Sequence, residues 1–389
     1  MEPTEAFLGL ACVDCEAVHD ADVLGPCPDC GGALSPAYDL DAVDADAVAT
    51  ATGDSMWRFA DLLPFTDPVT AAEGGTPLVD AANLADEIGV GRFVIKDDGR
   101  NPTGTTLDRG VSLAVTAARE AGAESVTLAS PGNAAQSAAA YAGRAGLESH
   151  AYVPSRAPFP NKAMVNVHGG EMRVVGGRYD DAVAALAGDD ADRYPVGEFA
   201  NPYRHEGAKT VAFEVAATFD WSAPDALVVP TGTGEFLAGV AKGFRELVAL
   251  GLLDDVPPLY AAQASGCAPI AAAVERGVDA PDPWETPDTI AGELEIADPA
   301  DGSLAVEAVV DSGGDAVAVD DADILESAVV VAQRTTVEMG ANAGAAAAAA
   351  WELAREGEFG VDDTVVVLNT EAGGKTADLL RSHLMSKGV

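Results

Sequence analysis

The chain has 389 residues, 48% of them hydrophobic, with 63 acidic against 22 basic side chains and a formal net charge of −41. That length exceeds one ordinary core and predicts two domains with an appendage. The charge excludes a nucleic-acid-binding surface, which needs cations to neutralise phosphates, and the longest apolar run, residues 345–351, is too short to span a bilayer. The acid is spread along the chain rather than blocked. It therefore fits a surface adapted to a salt-rich cytoplasm, where the Debye length falls to roughly 3 Å at 1 M, better than an acidic face for a basic partner. The opening MEPTEAF has no basic segment followed by an apolar one, so no secretory signal is expected.

In chain order, the first element is a cysteine framework. Cys12-Val-Asp-Cys15 and Cys27-Pro-Asp-Cys30 form two CxxC knuckles separated by a short turn-rich segment. Each knuckle offers two thiolates at one apex, which suits a single tetrahedral zinc; two disulfides, or a ribbon without metal, are the alternatives. Residues 1–36 read as this ribbon and residues 37–56 as an acidic linker. From Trp57 onward, β-type apolar runs alternate with amphipathic helices. Residues 91–96, 125–130, 150–154, 226–230 and 364–368 read as strands, and 108–121, 133–145 and 341–350 as helices. This alternation predicts an α/β chain of parallel sheets with helices on both faces. Residues 57–98 with 206–389 are assigned to a larger domain, and 99–205 to a smaller one. Cys267 stands alone and reads as packing.

In such folds ligands sit on turns at the C-terminal ends of strands, where helices open. Four turns fit: Asn101-Pro-Thr-Gly104, Ser130-Pro-Gly-Asn133, Thr231-Gly-Thr-Gly-Glu-Phe236 and Asn369-Thr-Glu-Ala-Gly-Gly374. One such turn is ordinary, but four in one chain point to a polar ligand site.

These segments, with Glu73-Gly-Gly-Thr-Pro-Leu78, Asn201-Pro-Tyr-Arg-His-Glu-Gly207 and Gln263-Ala-Ser-Gly-Cys-Ala-Pro269, resemble threonine synthase, a fold-type-II family dependent on pyridoxal phosphate. The resemblance covers nearly all of the chain. It implies a two-domain α/β architecture, with the cysteine framework similar to the zinc ribbon that some members carry. It also implies that Ser130, Gly132 and Asn133 form a carboxylate loop, and that Lys96, Thr103, Thr105 and Arg109 lie near the ligand. Arg109 can equally be a structural ion-pair residue. His205 and Glu206 sit within a family-like stretch and do not read as a metal pair.

Three positions depart from the family pattern. Leu107 stands where the family holds its cofactor lysine, and a leucine can form no imine. Gly232, Thr233, Gly234 and Glu235 replace the glycine- and asparagine-rich phosphate cup, with a carboxylate where a dianion would dock. Asn369 and Thr370 replace the turn that contacts the pyridine nitrogen. Lys96, Lys209 and Lys375 are the amines that could substitute, Lys96 being the first candidate. The expectation is a threonine-synthase-like protein without confident catalytic residues, holding structural zinc, with pyridoxal phosphate doubtful as a cofactor. Its partner is a small molecule, an amino acid or phosphorylated amino acid, with no nucleic acid and no membrane. Self-association or a protein partner stays open. So do two other readings: an active enzyme with a displaced lysine, and a different enzyme using Glu235 or Glu371 as base.

Overall fold

A computed structural model describes residues 3–300 and 302–388. The chain divides into two compact units. The first comprises Met1–Gly75, Leu107–Ala217 and Lys242–Asp254, the second Thr76–Thr106, Thr218–Ala241 and Asp255–Val389.

The first unit begins with a three-stranded antiparallel sheet in which Phe7–Cys12 lies between Val18–His19 and Leu34–Tyr38. Its register shifts at Gly9, where φ is +127° and a Cβ would lie 2.6 Å from the His19 carbonyl oxygen, so only glycine fits. This ribbon does not stand free. Leu10, Cys12, Cys27 and Leu34 share one apolar cluster with Met56, Leu113, Ala117 and Tyr203. A segment this small cannot bury enough apolar surface alone, so the body of the unit completes its core. Within residues 37–56 the structure forms a helix, Ala45–Thr50, whose first amides are capped by the Asp44 carboxylate.

The body of the first unit is a four-stranded parallel sheet in the order Glu171–Val175, Glu148–Pro154, Ser125–Ala129, Tyr194–Pro195. Helices Asp108–Glu120 and Asn133–Ala145 contribute their apolar residues to its core. Helix Asp108–Glu120 also meets helix Arg204–Thr218 backbone to backbone. A Cβ on Gly110 would lie 2.1 Å from the Arg204 carbonyl oxygen, and one on Gly207 would lie 2.2 Å from the Arg109 carbonyl carbon.

The second unit holds a six-stranded sheet in the order Ala316–Val319, Leu259–Ala264, Ala226–Pro230, Thr364–Asn369, Arg92–Asp97, Leu78–Asp80. All pairs are parallel except the last. The central strands Ala226–Pro230 and Leu259–Ala264 are buried throughout and nearly all apolar, as expected of strands covered on both faces. Helix Ala341–Glu356 packs on this sheet, and its residues from Ala341 to Ala350 are all buried. The expected α/β architecture, with an N-terminal four-cysteine ribbon, is the one observed.

Candidate functional site

In the ribbon the four cysteine sulfurs lie within 4.8 Å of one another. Cys12 and Cys30 are 3.4 Å apart and Cys15 and Cys27 are 3.8 Å apart. Four thiolates about 2.3 Å from a tetrahedral zinc would stand about 3.8 Å from each other, so this donor set fits the ion. The knuckles are shaped by backbone bonds. Gly31 N donates to Cys27 O at 2.8 Å, and Gly32 N reaches the Cys30 sulfur at 3.4 Å. A Cβ on Gly32 would lie 2.2 Å from the Asp14 carboxylate and 3.0 Å from the Cys12 sulfur, so the second knuckle packs closely on the first. Sequence spacing does not single out His19, yet its Nε2 lies 3.2 Å from the Cys27 sulfur. Only the pairing of Leu10 with His19 across two strands brings it there.

In the first unit, Ser130 Oγ accepts from Gly132 N at 3.0 Å and Ala135 N at 3.2 Å, shaping the turn that opens helix Asn133–Ala145. Gly132 has φ +153°, a conformation that favours glycine. Asn133 is buried, and its Oδ1 accepts from the Nδ2 of Asn161, a wholly buried residue the sequence reading missed. That bond ties the Asn133 amide to helix Phe159–Val167. Leu107 is half-buried and packs against the apolar cluster that includes Val111, Ala114 and Ala134. The next residue, Asp108, accepts from Ser137 Oγ at 2.6 Å. Arg109 is wholly buried. Its two terminal nitrogens donate to the two Glu214 oxygens at 2.7 and 2.8 Å, and Nη1 also reaches Thr210 Oγ1 at 2.9 Å. Its guanidinium is therefore engaged by an internal ion pair, the structural alternative raised for it above.

The same unit explains Lys209 and the His205-Glu206 pair. Glu206 meets Lys209 at 2.6 Å and also pairs with Lys242; Lys209 in turn meets Glu246 at 3.0 Å. Tyr38, on the last ribbon strand, donates to Glu206 at 2.8 Å. Burial alone would raise the Glu206 pKa, but the two ammonium groups outweigh it and hold the carboxyl at about 2. His205 bonds Ser35 Oγ at 2.9 Å, and burial pushes its pKa down to about 4. Lys209 is thus a buried ion-pair partner.

In the second unit, Lys96 is the penultimate residue of strand Arg92–Asp97 and is wholly buried. Its Nζ donates to Thr76 O at 2.6 Å and Thr76 Oγ1 at 2.5 Å, with Asp98 at 3.9 Å. Asp98 also accepts from Thr76 and Thr106. An amine so held is anchored. Thr103 and Thr105 are buried in the turn that follows. Thr106 N donates to Thr370 O at 2.9 Å, and Ala372 N to Gly104 O at 3.0 Å. The turns beginning at Asn101 and Asn369 therefore lie together, with Thr105 bridged to Glu371. Lys375 is buried beside them, its Cε 3.3 Å from where a Gly104 Cβ would stand.

Asn369 donates its Nδ2 to Asp97 Oδ1 at 2.7 Å. A carboxylate only accepts, so the orientation of this amide is fixed, and its buried Oδ1 is left without a partner. Glu371 accepts from Asn342 Nδ2 at 2.7 Å. The turn 232–235 opens helix Glu235–Ala249. A Cβ on Gly232 would lie 2.5 Å from Glu293 O, and Gly234, at φ +88°, packs against Ala305. Glu235 is buried at this helix start.

Parallel sheets whose strand ends carry four helix-opening turns define a class, and a family model described as "Pyridoxal-phosphate dependent enzyme" matches residues 69–371. The chain is 35% identical to threonine synthase of Methanosarcina acetivorans over 93% of this chain and 90% of that one. It is 32% identical to threonine synthase of Methanocaldococcus jannaschii, over 94% and 93%. The chain belongs to the threonine synthase family of pyridoxal-phosphate-dependent enzymes. The fold is shared with an L-serine ammonia-lyase from Rhizomucor miehei, at TM-score 0.71 and 22% identity over 82% of this chain and 99% of that one. It is also shared with maize serine racemase, at TM-score 0.67 and 20% identity over 81% and 94%.

Proposed function

We propose that this protein binds an amino-acid-like or phosphorylated amino-acid ligand and does not carry out threonine synthase chemistry. The observation that carries the reading is Leu107, a half-buried apolar side chain packed against its unit's core at the position where the family resemblance puts the imine-forming lysine. Pyridoxal phosphate supplies an electron sink when held as an imine, and that chemistry needs a free amine. Lys96 and Lys209 are both engaged by buried carboxylates or hydroxyls. The residues present do not fit a covalently held cofactor, and Glu235 sets a carboxylate against its phosphate. In this reading Ser130, Gly132 and Asn133 receive the ligand's carboxylate at a helix start, where backbone N–H groups favour anions. The ribbon holds one zinc, and the acidic surface works in a salt-rich cytoplasm.

The purified protein is expected to show no internal-aldimine absorbance with added pyridoxal phosphate and no phosphate release from O-phosphohomoserine. Calorimetry is expected to detect O-phosphohomoserine or an amino acid, with binding weakened in Asn133→Ala. A second reading rests on Lys375, buried beside the Gly104 turn. Turnover abolished by Lys375→Ala or Lys96→Ala would establish an active enzyme with a displaced amine and overturn the first reading.

A further inference from the structure

We propose that His19 supports Cys27, which with Cys12 anchors the ribbon's metal, leaving Cys15 and Cys30 as the edge from which the metal departs. The inference rests on the zinc reading of the ribbon and concerns a residue outside the four-cysteine pattern.

The geometry is specific. His19 Nε2 lies 3.2 Å from the Cys27 sulfur and 3.9 Å from the Asp29 carboxylate. Cys27 bound to a metal is a thiolate and can only accept, so Nε2 must carry the hydrogen. The ring is placed by strand pairing rather than by a loop. His19 sits opposite Leu10, and the absent side chain at Gly9 admits the His19 carbonyl at a distance no Cβ would tolerate. The side chain is 13% exposed, so water competes poorly for the bond.

His19 is a hydrogen-bond donor here and not a fifth ligand. The four sulfurs form one group within 4.8 Å, whereas His19 groups with Cys27 and Asp29 instead. Four thiolates around one zinc carry an excess of two negative charges, in a chain of net charge −41. Donors that draw charge off the sulfurs therefore stabilise the loaded site. Backbone amides serve the other three sulfurs, those of Asp14 and Cys15 reaching Cys12, that of Ala17 reaching Cys15 and that of Gly32 reaching Cys30 at 3.4 Å, whereas Cys27 receives a side-chain donor, His19. Burial adds to the asymmetry. Cys12 and Cys27 are buried, and Cys15 and Cys30 are exposed. Cys12 and Cys27 are the enclosed pair, and His19 adds a side-chain donor to the second of them; water and chelators reach the other pair first.

The test uses the full-length, zinc-loaded protein and a pyridylazo-resorcinol chelator to follow zinc release. Outer-sphere donors of this kind are typically worth roughly 10–100-fold in metal affinity. His19→Phe, which keeps the ring volume and removes the donor, is expected to release zinc faster by about that factor. His19→Gln, which retains an N–H, is expected to lie nearer the unmodified protein. Mass-mapped alkylation of the loaded protein should modify Cys15 and Cys30 before Cys12 and Cys27. Equal release rates for His19→Phe and the unmodified protein would overturn the proposal, as would the reverse order of alkylation. A changed cobalt(II) spectrum in His19→Phe would also overturn it, by making His19 a ligand. Unmodified protein that takes up no zinc would sink the metal reading itself, a result distinct from these.

Discussion

Replacing Glu214 by Gln tests how the helix carrying Leu107 is held. Arg109 and Glu214 are both buried, with paired contacts of 2.7 and 2.8 Å, and Glu214 also accepts from Gly75 N at 2.8 Å. Glutamine keeps the shape but removes the charge and turns one acceptor into a donor facing the guanidinium. Breaking one side of a buried pair leaves an uncompensated charge and costs about 3–5 kcal/mol. That is a large fraction of the ~5–15 kcal/mol that holds a typical domain folded. The first unit holds roughly 200 residues. At about 2–4 °C per kcal/mol for this size, the melting temperature should fall by about 6–20 °C. Thermal circular dichroism in multimolar salt gives the readout. The double variant Arg109→Met/Glu214→Leu removes both charges and should recover most of the loss. A Glu214→Gln melt within about 2 °C of the unmodified protein would refute the reasoning, because it would mean the guanidinium finds water or another anion.

Leu107→Lys alone should give little aldimine absorbance with pyridoxal phosphate, and Leu107→Lys with Glu235→Gly and Phe236→Asn should give more; equal absorbance would remove Glu235 from the argument. Asn161→Asp turns an N–H donor into an acceptor and so reverses the Asn133 amide; calorimetry should show carboxylate ligands binding at least about tenfold more weakly, some 1.4 kcal/mol. His205 has a folded pKa of about 4 against an ordinary 6.5, so the unfolded chain binds its proton first as pH falls. Its contribution to stability is complete above about pH 6.5 and declines by up to about 1.4 kcal/mol per pH unit down to about 4; His205→Gln should flatten that stretch of a denaturation-versus-pH curve. Melting temperature should rise with salt as the −41 charge is screened; a flat series from low to multimolar salt would count against salt adaptation.

Much of the second unit could be read from sequence because buried parallel strands are continuous apolar runs. Ala226–Pro230 and Thr364–Asn369 stand out for that reason. Helix Asn133–Ala145 was equally plain, framed by a turn before it and a glycine after it. Helix Arg204–Thr218 was not read. Its buried faces carry Arg204, Glu206, Lys209 and Glu214, so ion pairs replace the apolar periodicity that marks a helix. The short helix in the supposed linker had a visible sign in Asp44, an N-cap residue overlooked in an acidic stretch. The site divides in the same way. Turns that depend on local glycine and serine chemistry were legible. His19 and Asn161 were not, since each reaches its partner only through the register of strands or the packing of helices.

The alanine helix bears on which variants of this protein can persist. Between Ala341 and Ala350 burial leaves no solvent-facing side, and at Gly344 a Cβ would lie 2.4 Å from Ile324 O. Single-base changes in an alanine codon yield serine, threonine, proline, valine, glycine, aspartate or glutamate. Valine and threonine overfill a slot sized for one methyl group, the acids bring unpaired charge, and proline breaks the helix. Only serine and glycine remain, each with a lesser penalty. Mutational scanning here should therefore return an unbroken intolerant block in place of the usual three-to-four-residue rhythm, and natural drift should keep this stretch monotonous while the acidic surface around it varies.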